Sequence, residues 1–120
     1  MKLVLKAFAV GLLFVSPIAV AADADTTMVY GAGTKSCGAF LEAERKSGVD
    51  SIAYHSWLAG FLTGVNAFFN MLHVSHGSDI LEGTDFEGAV HWLRNYCEKN
   101  PLETFARAAD ALVAERVKSH

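Results

Sequence analysis

Between Asp50 and Asp79 the sequence carries no Asp, Glu, Lys or Arg, and this uncharged run constrains the fold more than any other feature. Its centre, residues 54–74, reads YHSWLAGFLTGVNAFFNMLHV. At ~1.5 Å per residue a helix of about 20 residues crosses a bilayer core, and Gly60-x-x-x-Gly64 has the spacing that packs transmembrane helices. The distribution of side chains argues for a bundle helix instead. At ~100° per residue, Ser56, Thr63, Asn66, Asn70 and His73 share one sector, and Tyr54, Trp57, Phe61, Val65, Phe68 and Leu72 cover the opposite one. A lipid-facing helix has no use for such a polar stripe. No stop-transfer cations follow it either; Asp79 and Glu82 come next. The stretch is therefore expected to form the central helix of a soluble bundle, without stable membrane insertion. Its glycines are expected to let a neighbouring helix approach closely.

The chain opens MKLVLKAFAVGLLFVSPIAVAADAD, with Lys2 and Lys6 ahead of an apolar stretch over residues 7–15. Pro17 breaks that stretch, and Ala19-Val20-Ala21 supplies small residues where a signal peptidase cuts. Residues 1–21 thus read as a secretory signal peptide and imply a periplasmic protein. What remains is one domain. Loss of Lys2 and Lys6 leaves 8 basic against 13 acidic side chains, so the formal charge moves from −3 to −5. With no basic cluster, nucleic acid is not an expected partner. The two cysteines, Cys37 and Cys97, enter an oxidising compartment as an even count, which predicts one disulfide.

Residues 22–33 lack periodicity and end in Gly31 and Gly33, which suggests a flexible N-terminal arm. The helical domain is expected over residues 34–118. Thr34 or Ser36 can cap a first helix with Cys37, Phe40 and Leu41 inward and Glu42, Glu44, Arg45 and Lys46 toward solvent, stopped by Gly48. Asp50 or Ser51 can cap the long second helix. Thr84-Asp85-Phe86-Glu87 has the form of a capping box for a third, with Phe86, Val90, Leu93 and Cys97 on one face. Asn100-Pro101-Leu102-Glu103 can end that helix and begin a fourth, with Leu102, Phe105, Ala109, Leu112 and Val113 inward. No strand-like alternation occurs. The expected fold is an all-α four-helix bundle.

Chemistry-bearing motifs are sparse. His73 and His76 have an i, i+3 metal-ligand spacing, but a zinc site needs a third ligand, and helix C-termini favour histidines in any case. No nucleophile elbow, P-loop or C-x-x-C is present, so no catalytic residue, metal or cofactor is expected and the chain does not read as an enzyme. Asn66 and Asn70 form the most notable polar pair of the central helix.

Cys37-x-x-Phe40, a Trp-bearing middle helix and Tyr96-Cys97-x-Lys99-Asn100-Pro101 together resemble the HdeA/HdeB family of periplasmic acid-stress chaperones. The resemblance implies a disulfide between Cys37 and Cys97, a homodimer near neutral pH, and a protein that holds unfolding clients in acid. Gly60, Phe61 and Gly64 also resemble the Gly-aromatic-x-x-Gly of Tai-type immunity proteins, which neutralise secreted amidase toxins. That resemblance implies one specific protein partner gripped by a protruding loop, for which residues 75–85 (SHGSDILEGTD) are the candidate. Phe61, Phe68, Phe69, Ile80 and Leu81 are the expected client or partner surface under either reading.

Overall fold

The structure, a computed structural model, describes residues 27–74 and 79–119. The expected signal peptide, the first part of the expected arm, and His76 lie outside the described residues. A 3-10 turn, Gly31–Thr34, precedes four helices: α1 Cys37–Lys46, α2 Val49–Met71, α3 Phe86–Lys99 and α4 Phe105–Lys118. The fold is all-α, with one disulfide joining Cys37 to Cys97.

Local chemistry explains where each helix begins. The Ser36 hydroxyl accepts the Ala39 N–H and starts α1, and Ser47, in the left-handed region at φ 48°, ends it one residue before Gly48. Gly48 precedes α2 with no side-chain cap, because Ser51, the expected cap, gives its hydroxyl to Glu44. Asp85 rather than Thr84 caps α3, accepting from the Gly88 N–H at 2.7 Å. The fourth helix departs furthest from expectation. Asn100 closes α3 by donating its side-chain amide to the Tyr96 carbonyl, and Thr104 caps α4 four residues later. Leu102, expected inside, stands in the intervening turn and is 95 % exposed.

That late start has a tertiary cause. The first N–H groups of a helix have no partner within it. Here the Cys37 and Gly38 amides at the head of α1 donate to the carbonyls of Glu103 and Pro101, at 2.8 and 3.0 Å. Phe105 N–H at the head of α4 donates in turn to the Lys35 carbonyl at 2.8 Å. Residues 101–104 are held extended enough to serve α1, so they cannot join α4. The disulfide lies beside this lacing and ties the first residue of α1 to the last turn of α3.

α1 packs between α2 and α3, and α3 packs between α1 and α4. Phe40, Tyr54 and Phe105 form the centre of the core, with ring centroids 4.6–5.4 Å apart. Leu58, Leu62, Val90, Leu93 and Leu112 extend it. α2 contributes Tyr54, Leu58 and Leu62 at four-residue spacing, so its buried seam is narrow. Being 23 residues long against 14 for α3 and α4, it outruns both by about 13 Å. Its far end projects Phe68, Met71 and Leu72 into solvent. The glycines do not serve the expected purpose: a Cβ on Gly60 or Gly64 would meet nothing within 4 Å. Both lie on the helix's open face. Among the described residues no helix is long and apolar enough to cross a membrane.

Candidate functional site

Trp57 organises an open concavity. Its indole N–H donates to the Tyr30 carbonyl at 2.7 Å and draws residues 27–33 against α2. This approach requires glycine at position 33, where an added Cβ would stand 2.2 Å from the indole ring. Gly31, at φ +69°, turns the chain into that contact with a backbone conformation other residues rarely adopt. The described part of the expected arm, residues 27–33, thus lies against α2. Phe61 stacks on Trp57 at 5.4 Å, and Phe105 supports the indole from below at 5.7 Å. Between the arm, α2, the α3–α4 turn and the first turns of α4 runs an open, mostly apolar groove of about 1090 Å³. Met28, Val29, Trp57, Phe61 and Leu102 line it, together with Lys99, Glu103, Arg107 and Asp110.

From the groove an apolar strip continues along α2. Trp57, Phe61, Val65, Phe68 and Leu72 follow one another at three- or four-residue spacing on one flank, the apolar sector read from the sequence. Exposure rises outward: Trp57, Phe61 and Val65 are half-buried, whereas Phe68 is 52 % exposed. An apolar strip thus leads from the groove to the free end of the helix.

A polar cluster braces the other side of α2. The Glu44 side chain, only 8 % exposed, accepts from Ser51 Oγ (2.6 Å) and His55 Nε2 (2.8 Å) at one oxygen. Its other oxygen accepts from Arg94 Nε (2.8 Å) and Nη2 (2.6 Å). One carboxylate thereby joins α1, α2 and α3. Ser51 and His55 both address Glu44 rather than each other, so the cluster is a brace and not a nucleophile–base pair. Burial alone would raise the Glu44 carboxyl. The Ser51 and Arg94 hydrogen bonds and the His55 and Arg94 charges outweigh it and hold the group below its usual 4.5. Glu44 had been expected to face solvent. Its spacing from Cys37 and Phe40, i+7 and i+4, was the signal that it belongs to the inner stripe.

A carboxyl with a depressed folded-state value contributes stability above its unfolded value, lost as pH falls through the folded one. Glu44→Gln should therefore cost about 1.5 kcal/mol at pH 7, the low end for charged hydrogen bonds because Arg94 is 39 % exposed. Urea denaturation from pH 7 to pH 3 should show the gap between wild type and variant narrowing as the pH falls through the lowered folded-state value of Glu44. A deficit that stays constant with pH would mean that the charge of Glu44 is not what matters.

The expected partner surface divides. Phe61 lines the groove, Phe68 is exposed and Phe69 is partly buried against the core. Ile80, expected at the crest of a protruding loop, is instead 2 % exposed, and Leu81 packs against the core. The correction has a hydrogen-bonding cause. The Asn66 side chain accepts the Ile80 N–H at 2.8 Å and donates to Asp79 at 3.2 Å, while Arg116 donates to the Ile80 and Glu82 carbonyls. With both backbone groups of Ile80 satisfied, its side chain turns inward. His73 stands exposed at the end of α2, and among the described residues no group of three or more His, Cys, Asp or Glu could hold a metal ion.

Comparison with family models, with curated proteins and with solved structures gives no match for this chain.

Proposed function

We propose that the chain is an exported client-binding protein, a holdase of the acid-stress type that its sequence resembles. The observation that carries this reading is the uncharged apolar strip of α2, which begins in the groove and ends on the overhanging Phe68 and Leu72. Exposed apolar surface without charges suits many unfolded chains and selects no single folded one. The Glu44 brace supports the acid dependence, since protonation weakens one of the ties between α2 and the helices α1 and α3. The inhibitor reading needs a protruding loop, and the burial of Ile80 weighs against it.

Around pH 2 the carboxylates are protonated, because free Asp and Glu titrate near ~4. The 8 Lys and Arg and 5 His of the chain after the leader then amount to a formal +13 before the terminal amine. Repulsion of that size should loosen helix packing and any dimer, while the disulfide still joins α1 to α3. The protein should suppress aggregation of an acid-denatured test protein at pH 2–3 and lose that effect at pH 7. Phe68→Asp should weaken suppression several-fold without shifting the melting temperature at pH 7, because Phe68 is exposed. A wild-type protein that stays folded and inert at pH 2–3 would overturn the holdase reading in favour of a specific binding module.

A further inference from the structure

The segment that walls the groove carries no helix and runs into extended backbone at Tyr30, with φ −123° and ψ 159°. Met28 and Tyr30 are 74 % exposed, and Val29 between them is turned toward Gly33. Yet no backbone N–H or C=O of Thr27, Met28 or Val29 pairs with another backbone group among the described residues. An extended segment with an unpaired edge is a template for a further strand.

We infer that the groove binds a short, uncharged, extended peptide segment, which pairs as a strand with Thr27, Met28 and Val29 and sets alternate apolar side chains against Trp57, Phe61 and Leu102. This rests on the client-binding reading and names the part of a client that the native fold grips. Three observations select this occupant. The volume, about 1090 Å³, lies at the upper end for ligand sites and exceeds what one side chain fills. The charges that line the groove balance, Lys99 and Arg107 against Glu103 and Asp110, which matches a neutral segment and gives no preference to an anionic head group. The unpaired backbone edge is met by a peptide and not by an acyl chain, whose tail has no hydrogen-bonding groups. Three residues of strand span about 10 Å, enough to pair with a segment of three or four residues and to admit two inward side chains. Leu-x-Phe and Phe-x-Leu are the kind of pattern it would select.

The test uses the mature protein at pH 7, titrated with a capped hexapeptide of alternating Thr and Leu or Phe. Two comparison ligands are the same peptide N-methylated at alternate amides on its pairing edge, and dodecanoate. The peptide should bind saturably and slow hydrogen exchange at the amides of residues 27–29. N-methylation should weaken binding at least tenfold. Leu102→Asp should do likewise without unfolding the protein, since Leu102 touches solvent on nearly every side. Equal binding of the N-methylated peptide, or binding of dodecanoate alone, would overturn the inference. So would unchanged affinity in Leu102→Asp. Absence of peptide binding alongside acid-dependent suppression of aggregation would remove the groove proposal and leave the holdase reading standing. Peptide binding without suppression would do the reverse.

Discussion

Reduction of the Cys37–Cys97 bond should lower the unfolding free energy by about 4 kcal/mol. The bond closes a loop of 60 residues that contains all of α2, and in the chain-entropy model most of its effect is to restrict the unfolded chain. A domain of this size is typically stable by roughly 5–13 kcal/mol, so about a third or more of the total is at stake. The melting temperature should fall by roughly 20 °C. Both sulfurs are fully buried, so reduction requires opening of the fold and should be slow without denaturant. The Cys37→Ser, Cys97→Ser double variant separates that kinetic barrier from the equilibrium effect. Circular-dichroism melts of the oxidised protein and the double variant measure it directly. A difference below about 1 kcal/mol would mean that packing alone determines where α1 and α3 sit. Under the holdase reading the consequence is sharper: the double variant should unfold in acid without recovering on return to neutral pH, because nothing covalent then holds α1 at α3.

Phe105→Ala should be about as damaging, at about 4 kcal/mol, by a different route. α4 lies outside the covalent loop and is retained by packing and by the backbone lacing at its head. Phe105 is its main anchor. The side chain is fully buried, with its ring 4.6 Å from Phe40, 5.0 Å from Tyr54 and 5.7 Å from Trp57. Truncation removes the packing of three rings at once and leaves a cavity that rigid helices cannot collapse around. The loss should be uneven: amide exchange should accelerate most in α4, while the disulfide-linked α1 and α3 retain more protection. Phe105→Leu, which keeps most of the volume, should cost about 1–2 kcal/mol and preserve the exchange pattern. Uniform loss of protection across all four helices would show that α4 is not a separable unit.

The overhanging end of α2 and the Glu44 brace act on one helix from opposite sides. Under the holdase reading, the brace is the contact that acid would weaken and the strip is the surface that clients would meet. This arrangement gives acid a defined target within the fold, because the carboxylate at the three-helix junction is nearly buried while the His55 and Arg94 side chains that address it are partly open to solvent.

Helix content, the single disulfide and the apolar flank of α2 were determined by the sequence alone. Each depends on information local to the chain: periodicity at 3.6 residues, Ser, Asp and Thr at helix starts, and two cysteines with no alternative pairing. Ser36 is the clear example, since its hydroxyl reaches only three residues along and needs no tertiary context. Where alternatives were locally equivalent, tertiary structure chose. Asn100 and Thr104 are both sound caps, and the demand of the Cys37 and Gly38 amides for carbonyls at residues 101–103 decided for Thr104. Glu44 was charged and therefore assigned to solvent, until Ser51, His55 and Arg94 converged on it from two other helices. Ile80 looked like a loop crest because nothing near it in sequence could satisfy its backbone; Asn66 and Arg116, 14 and 36 residues away, do so. The glycines of α2 show the same limit from the other side. Spacing places Gly60 and Gly64 on one face of a helix, but only the packed chain determines whether a neighbour covers that face, and here the face is open.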